Sequence, residues 1–228
     1  MPVFVTMVMK MRDWYKDVYN CERSVELPFA EFFVDCCDDM DSHVTDHKFN
    51  ILDVGGVPSD DSVYYRYKEN AKKRGFGYHV CDFRNHGYTD YMGDFVTLDF
   101  GGANFDAILF LSSIEHFAQC TEGDMRYRDG YDRVAFLKAM SLIRKPYGII
   151  GITVPFNQQY WCPYHQNYDF KGIMELSAGT KIKHGFIYKN VGDLWVRTNV
   201  WDVSGLRYGD GKATSVGMFI FEVQQNGV

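Results

Sequence analysis

The sequence of 228 residues lacks an excess of positive charge: 24 Lys and Arg stand against 30 Asp and Glu, a formal net charge of −6. Without a basic surface, a nucleic-acid or anionic-lipid partner is not expected. No apolar run is long enough to cross a bilayer. The apolar start also has neither the basic region nor the small-residue cleavage site of a signal peptide. We therefore expect a cytoplasmic protein without a membrane partner.

The sequence also lacks paired cysteine motifs. Its six cysteines show no CxxC spacing, and Cys36 and Cys37 are adjacent. This arrangement predicts free thiols in a reducing compartment rather than a disulfide framework. Cys162 and His165 have the spacing of metal ligands, but no second pair accompanies them, so no metal site is predicted.

Aromatic residues, by contrast, are abundant. They make up 17% of the chain, with 16 Tyr and 18 Phe, while hydrophobic residues reach 46% and charged residues 24%. The overall composition is typical of a globular protein. The aromatic surplus has two readings: it forms the core, or it lines a pocket for a flat or sugar-like ligand.

Strand-like and helix-like segments alternate through the middle of the chain. Short apolar runs, such as "NILDV", "YHVCDF", "FDAILFLSS" and "IIGITVPF", alternate with helical patterns. This order predicts an α/β fold, a doubly wound and mostly parallel sheet of seven strands with an antiparallel C-terminal extension. A single domain is expected, with an N-terminal helical lid (1–48), a core (49–156), and an acceptor-side insertion with the last strands (157–228).

Two details of this prediction concern apolar side chains. The helix through "YDRVAFLKAMSLIR" is expected to bury a stripe made of Val134, Leu137, Met140, Leu142 and Ile143. In the C-terminal strands, tryptophans at positions 195 and 201 either line the ligand cavity or bury the tail of the chain.

Acids and glycines follow the first three strands in a fixed order. Asp53, Gly55 and Gly56 end the first strand, Asp82 ends the second, and Asp94 follows the third. Each acid alone is more often a turn former or helix cap. Together they lie where ligands bind in an open α/β sheet, and Asp82 is placed to accept hydrogen bonds from a ribose diol. The loop "GGVPSD" fails the three-glycine dinucleotide pattern, which disfavours a pyrophosphate cofactor.

These motifs resemble the class I S-adenosylmethionine-dependent methyltransferases, in particular the type 11-like small-molecule subgroup. The resemblance spans about residues 24 to 156 and rests on "ILDVGG", "CDFR", "GDFVTLDF", "FDAILFLSSIEHF" and "KPYG" with "TVPF". The chain departs from the family at Val57 and Ser59, which stand at two glycine positions. The resemblance implies a Rossmann-like fold, S-adenosylmethionine as cofactor, S-adenosylhomocysteine as product, and these cofactor contacts: Asp53, Gly55, Gly56, Asp82, Phe83, Asp94, Phe95 and Ser112.

The loop after the fourth strand carries the candidate catalytic residues. His116 follows the strand near the expected position of the methyl group and is the best candidate for a base, because histidine titrates near neutral pH. Glu115 would orient it. The alternative is that this pair only fixes the loop through hydrogen bonds. Glu26, in the N-terminal segment, is a weaker candidate for a cofactor or acceptor contact.

The segment after the fifth strand offers flat and polar side chains for an acceptor. They would suit a sugar or another polyhydroxylated compound, although a packed aromatic corner explains them equally well. The candidates are Tyr160, Trp161, His165, Tyr168 and Asp169.

Three functions remain open at this stage. The first is methyl transfer to a small-molecule or glycan acceptor, with O-methylation favoured. The second is a related aminopropyl-type transfer, for which no acidic cluster follows the fourth strand. The third is a non-catalytic binding module. Cofactor binding separates the third from the others, and product analysis separates the first two.

Overall fold

The computed structural model describes residues 22–41, 47–56, 66–85, 87–117, 129–144, 146, 148–157, 160–162, 165–192, 194–204, 206 and 214–223. The helices found there are α1 (Arg23–Asp41), α2 (Arg66–Lys73), α3 (Tyr131–Leu142), α4 (Phe170–Leu176) and α5 (Val200–Val203), with a 3₁₀ helix at Ile114–His116. The strands are β1 (Asn50–Val54), β2 (Gly77–Asp82), β3 (Tyr91–Met92), β4 (Ala107–Leu111), β5 (Ile149–Pro155), β6 (Tyr160–Cys162), β7 (His165–Asn167), β8 (Thr180–Val191), β9 (Leu194–Thr198) and β10 (Ser215–Val223).

One mixed sheet organises the chain, in the order β3-β2-β1-β4-β5-β10-β8-β9. The first five strands of this order pair in parallel, and β10, β8 and β9 add antiparallel pairs. The predicted mostly parallel sheet with an antiparallel extension is confirmed. It has eight strands rather than seven, because β9 folds back on β8 as an edge strand. The strands β6 and β7 form a separate hairpin.

Successive side chains of each strand point to opposite faces of the sheet, and each face therefore has its own hydrophobic core. Ile51 of β1 packs with α1 and α2 on the face that we call face A, whereas Leu52 packs with α3 and α4 on face B. The central strands β4 and β5 are buried along their whole length. This is typical of parallel strands covered by helices on both sides. Their apolar sequences follow directly from that position.

The N-terminal helix α1 is buried on most of its sides. It contacts β4 and β10 and lies in the core of face A with Leu27, Phe29 and Phe33. A helix that is apolar around most of its circumference needs such a buried place. The segment predicted as a lid therefore contributes a layer of the fold. The division of the chain at residues 48 and 156 stays a prediction.

Two details of the sequence-based prediction are wrong. Of the predicted stripe in α3, Leu142 and Ile143 are buried as expected, but Val134 and Leu137 are about half exposed. The small residues Ala135 and Ala139 are buried instead, together with Phe136. Small side chains let the helix lie close to the sheet, which the apolar pattern does not convey. In the tail, Trp201 lies in α5 and not in a strand, because this short helix follows β9.

The cysteine side chains that the structure describes, Cys36, Cys37 and Cys81, are free thiols, as predicted.

Among the described helices, none combines the length and apolar character that a membrane crossing requires.

The contact between β5 and α1 has a direct test. A Cβ added at Gly151 would lie 2.6 Å from Cδ2 of the buried Phe33 ring. Gly151→Ala should therefore lower the free energy of unfolding by about 1–3 kcal/mol, the usual cost of overpacking. Gly185→Ala on β8 is the control, since its Cβ would lie 3.4 Å from Phe219. Urea denaturation measures both, and equal stability of the two variants would contradict the packing of α1.

Candidate active site

The site lies where the order of the parallel strands reverses. The strand β1 lies in the middle, with β2 and β3 on one side and β4 and β5 on the other. Ligands in such sheets bind outside the carboxyl ends of the strands, at this reversal. The residues that end β1, β2 and β4 are Val54, Asp82 and Leu111, so the loops after them share one edge of the sheet.

The turn after β1 is fixed by close contacts to its neighbours. Gly55 has φ +74°, and its N–H donates to the carbonyl oxygen of Cys81 at 2.8 Å. A Cβ at this position would lie 2.6 Å from Cβ of Ser113, whose hydroxyl donates to the carbonyl of Val54 at 2.6 Å. Only glycine combines a positive φ with the absence of a Cβ atom that would collide with Ser113. The loops after β1 and β4 are thereby joined; positions 57 to 59, which include Val57 and Ser59, lie outside the described residues.

Asp53 is fully buried below this turn, on face A. Its Oδ2 accepts hydrogen bonds from the hydroxyls of Tyr78 at 2.8 Å and Tyr67 at 3.2 Å, and lies 3.6 Å from Nζ of Lys68. Burial, and then the charge of Asp53, raise the pKa of both tyrosines well above the ordinary value, so they remain donors. A Cβ at Gly56 would lie 2.7 Å from Oδ2. Asp53 thus ties α2 to the sheet, and its predicted cofactor contact stays a prediction.

Asp82 and Phe83 lie at the carboxyl end of β2. The carboxylate of Asp82 is partly exposed, and its Oδ1 accepts a hydrogen bond from the N–H of Arg84 at 2.8 Å. The ring of Phe83 is 66% exposed. The ring thus leaves a flat apolar surface uncovered beside an acid. The predicted cofactor contacts of these two residues stay predictions.

Asp94 and Phe95, after β3, already have partners within the fold. Oδ1 of Asp94 accepts from the N–H of Val96 at 3.0 Å, and Oδ2 accepts from the Tyr131 hydroxyl at 2.6 Å. Phe95 is buried among three other phenylalanines on face B. The pair holds the turn and α3 in place. Their predicted contacts to an adenine ring stay a prediction.

Ser112, directly after β4, has a strained backbone. Its φ is +47°, which a non-glycine residue rarely adopts. Two contacts hold it: its N–H donates to Oγ1 of Thr153 at 2.8 Å, and its hydroxyl donates to Glu26. Backbone strain of this kind clusters at functional sites. The predicted contact of Ser112 to the cofactor stays a prediction.

Glu26 brings α1 into the site. It is 1% exposed, and its Oε1 accepts from Oγ1 of Thr153 at 2.9 Å as well as from Ser112. Its Oε2 accepts from Nη1 of Arg23 at 2.8 Å. From the sequence, Glu26 was a weaker candidate, recognisable only as an acid within an apolar helical segment. The structure connects it to the carboxyl ends of both central strands.

Glu115 and His116 lie in the 3₁₀ helix after β4. Glu115 is buried, and its Oε2 has no hydrogen-bond donor among the described residues. Burial raises the pKa of this carboxyl from 4.5 to about 7, although the charge of His116 opposes the shift. Nε2 of His116 lies 3.9 Å from Oε1 of Glu115, and the imidazole is 51% exposed. The histidine can therefore reach solvent or a ligand.

The predicted acceptor residues divide into two groups. Tyr160, Trp161 and His165 lie in the β6–β7 hairpin, and their side chains fall outside the described part of the structure. Tyr168 is buried and donates to Oδ2 of Asp132 at 2.6 Å; Asp169 caps α4 by accepting from the Gly172 N–H at 2.7 Å. Both have contacts that support the fold, and their binding roles stay predictions.

The two tail tryptophans differ from each other. Trp195 is buried in the core of face A, whereas Trp201 is 82% exposed. The prediction that Trp201 buries the tail is therefore wrong, and the alternative that it lines the ligand cavity stays a prediction.

Two buried asparagines were not singled out from the sequence. Asn157 follows β5 and Asn167 ends β7, and they are 1% and 0% exposed. Within the described residues, no side-chain amide atom of either has a hydrogen-bond partner. The sequence feature that could have identified Asn157 is a polar residue directly after an apolar strand, in "TVPFN".

Known structures share this architecture. The N-methyltransferase NodS from Bradyrhizobium japonicum WM9, solved with S-adenosyl-L-homocysteine, matches with a TM-score of 0.51 and 9% identity, covering 95% of this chain and 98% of its own. The CMeT domain of citrinin polyketide synthase matches with a TM-score of 0.52 and 10% identity, covering 93% and 56%. The chain has the fold of the class I S-adenosylmethionine-dependent methyltransferases. At these identities the likeness concerns the fold; no family model and no curated protein matches the sequence.

The buried carboxyl of Glu115 predicts a pH-dependent stability. Because its pKa is raised on folding, the folded state binds more protons between pH 4.5 and 7, so the free energy of unfolding falls across that range and levels off above it. Glu115→Gln removes this dependence. The difference between variant and wild type should therefore rise by about 2–3 kcal/mol from pH 5 to pH 8 in urea denaturation.

Glu175→Gln, at an exposed position of α4, is the control and should give a constant difference over the same range. A constant difference for Glu115→Gln as well would show that this carboxyl is solvated.

Proposed function

We propose that this chain transfers a methyl group from S-adenosylmethionine to a small-molecule acceptor. The observation that carries the proposal is the group of residues at the carboxyl end of β1 and β2. There a tight Gly55–Gly56 turn lies beside a partly exposed acid, Asp82, and an exposed ring, Phe83. The fold adds support, since the related NodS structure was solved with S-adenosyl-L-homocysteine.

The described residues fit this cofactor through their chemistry. A carboxylate that still faces solvent, as that of Asp82 does, accepts hydrogen bonds from a ribose diol. The ring of Phe83 offers an uncovered flat surface to an adenine base. When bound, S-adenosylmethionine supplies a methyl group that its sulfonium already activates. The protein mainly has to align the acceptor with it.

The acceptor side contains the groups needed for proton transfer. We assign the role of base to His116, because its imidazole is half exposed and follows the strained Ser112 at the end of β4. Glu115, 3.9 Å away, would orient the ring. A base is needed when the acceptor is a hydroxyl group. The presence of His116 as a candidate base therefore favours O-methylation of a sugar or similar metabolite. The free thiols of Cys36, Cys37 and Cys81 favour a reducing compartment such as the cytoplasm.

Cofactor binding is tested by calorimetric titration with S-adenosylmethionine and S-adenosylhomocysteine. Asp82→Ala should weaken both by about 10- to 150-fold, since hydrogen bonds to a charged group contribute about 1.5–3 kcal/mol. Asp99→Ala is the matched control. Oδ1 of Asp99 accepts from the N–H of Gly101 at 2.8 Å, the same local bond that Asp82 makes to Arg84.

If wild type binds neither ligand, the chain is not a methyltransferase. If Asp82→Ala binds both ligands as tightly as wild type, the cofactor binds at another place on the protein.

The base is tested once an acceptor supports turnover. His116→Gln should lower kcat about 10²- to 10⁴-fold, the usual contribution of a positioned base, with an unchanged Kd for S-adenosylhomocysteine. His184→Gln on β8, outside the proposed site, should leave kcat as it is. Full kcat in His116→Gln would assign the histidine to holding the loop.

A further inference from the structure

Asn157 and Asn167 carry polar atoms that the fold does not use. Both side chains are buried, and all four amide atoms lack a hydrogen-bond partner among the described residues. Buried amides in native proteins are nearly always paired, because an unpaired one lowers the free energy of unfolding. Two such amides close together in the chain fold therefore indicate a ligand that completes them.

Backbone contacts hold the two asparagines near each other. Phe156 pairs with Tyr168 in a parallel bridge, and the N–H of Asn157 donates to the Tyr168 carbonyl at 2.9 Å. Phe156 and Tyr168 both pack in the core of face B. Since successive side chains of a strand point to opposite faces, Asn167 at the end of β7 is directed to face A, the side of Glu26. The hydrogen bond to Tyr168 holds Asn157 beside this end of β7.

The same face brings in a third group with an unused atom. The strand β7, which ends at Asn167, contacts both β5 and the 3₁₀ helix that contains Glu115, so these three segments lie together. Oε2 of Glu115 has no donor among the described residues either. Next to them lie Ser112 and Thr153, which are held by Glu26. Three separate segments thus direct unpaired polar groups to the carboxyl end of β4 and β5.

The charges of this cluster select the chemistry of its ligand. Each asparagine amide offers both donors and acceptors without a net charge. The nearby carboxylate of Glu26 is already paired with Arg23. A negatively charged ligand group would lose its hydration here and lie near the carboxyls of Glu26 and Glu115, whereas hydroxyl groups, which both donate and accept, match the amides.

We propose that Asn157, Asn167 and Glu115 bind the acceptor, and that the acceptor is a neutral compound rich in hydroxyl groups, such as a sugar. This inference rests on the proposed methyl transfer and names its acceptor class. The two asparagines bind the acceptor, while His116 faces the hydroxyl that is methylated.

Unfolding without any ligand is the first test. Asn157→Leu and Asn167→Leu replace an amide by an apolar side chain of similar size. If the amides are unpaired until a ligand binds, each variant should unfold at the same urea concentration as wild type or at a higher one. Asn104→Leu, at an exposed position, is the control. A lower midpoint for both buried variants would mean that the fold itself satisfies these amides, and would overturn the proposal.

Binding of defined probes is the second test. Wild type saturated with S-adenosylhomocysteine is titrated with glucose, galactose, N-acetylglucosamine and sucrose, with putrescine and glucuronate as charged comparators. At least one neutral sugar should bind, and each Asn→Leu variant should weaken that binding at least about 10-fold with an unchanged affinity for S-adenosylhomocysteine.

The remaining outcomes separate the two proposals. No binding of any neutral sugar, tighter binding of a charged comparator, or equal binding by the variants would overturn the acceptor assignment. Absence of S-adenosylhomocysteine binding by wild type would overturn the proposed function alone; sugar binding that depends on the asparagines would then still support the site.

Discussion

The buried carboxylate of Glu26 is the interaction on which the candidate site depends. It lies in α1 yet accepts hydrogen bonds from Thr153 on β5 and Ser112 after β4. A buried charge is costly unless its hydrogen bonds and ion pair are complete, and Arg23 provides the ion pair. A well-packed apolar residue would be the cheaper choice at this position. The carboxylate is better explained by what it does, which is to hold the backbone after β4 in a conformation that serine rarely adopts.

The strands and their order could be predicted from the sequence because buried parallel strands have a simple signature. Runs such as "AILFL" and "IIGITVP" are apolar throughout and are bounded by helices and turns. The buried side of α3 could not be predicted this way. That helix lies against the sheet through Ala135, Phe136 and Ala139, and the apolar Val134 and Leu137 face solvent. Hydrophobicity indicates how much a residue gains from burial, whereas the space between helix and sheet decides which side chain fits.

The site was predictable in part, and for a related reason. Acids at strand ends are visible in the sequence, so the order of Asp53, Asp82 and Asp94 located the edge of the sheet. Their partners are not visible. Asp53 is held by two tyrosines, and Asp94 by a hydroxyl 37 positions further along the chain. Long-range pairs of this kind depend on the completed fold. They distinguish Asp53 and Asp94 from Asp82, whose hydrogen bond to the N–H of Arg84 is local.

Several strained or unpaired groups share one location, and that location is itself an argument for function. Ser112 with its positive φ, Glu115 with its raised pKa, and the two asparagines all lie at the carboxyl ends of β4 and β5. Each lowers the free energy of unfolding, and none is needed to form the sheet, whose core is apolar there. Natural proteins tolerate strained backbone and unpaired polar groups chiefly where a ligand is bound or a reaction occurs. The opposite ends of the same strands show the contrast: Asp106 is paired with the N–H of Asn50 at 2.8 Å and with His47 at 2.8 Å. Asp106 is therefore paired within the fold, whereas at the other end of these strands the two asparagine amides and Oε2 of Glu115 have no partner among the described residues.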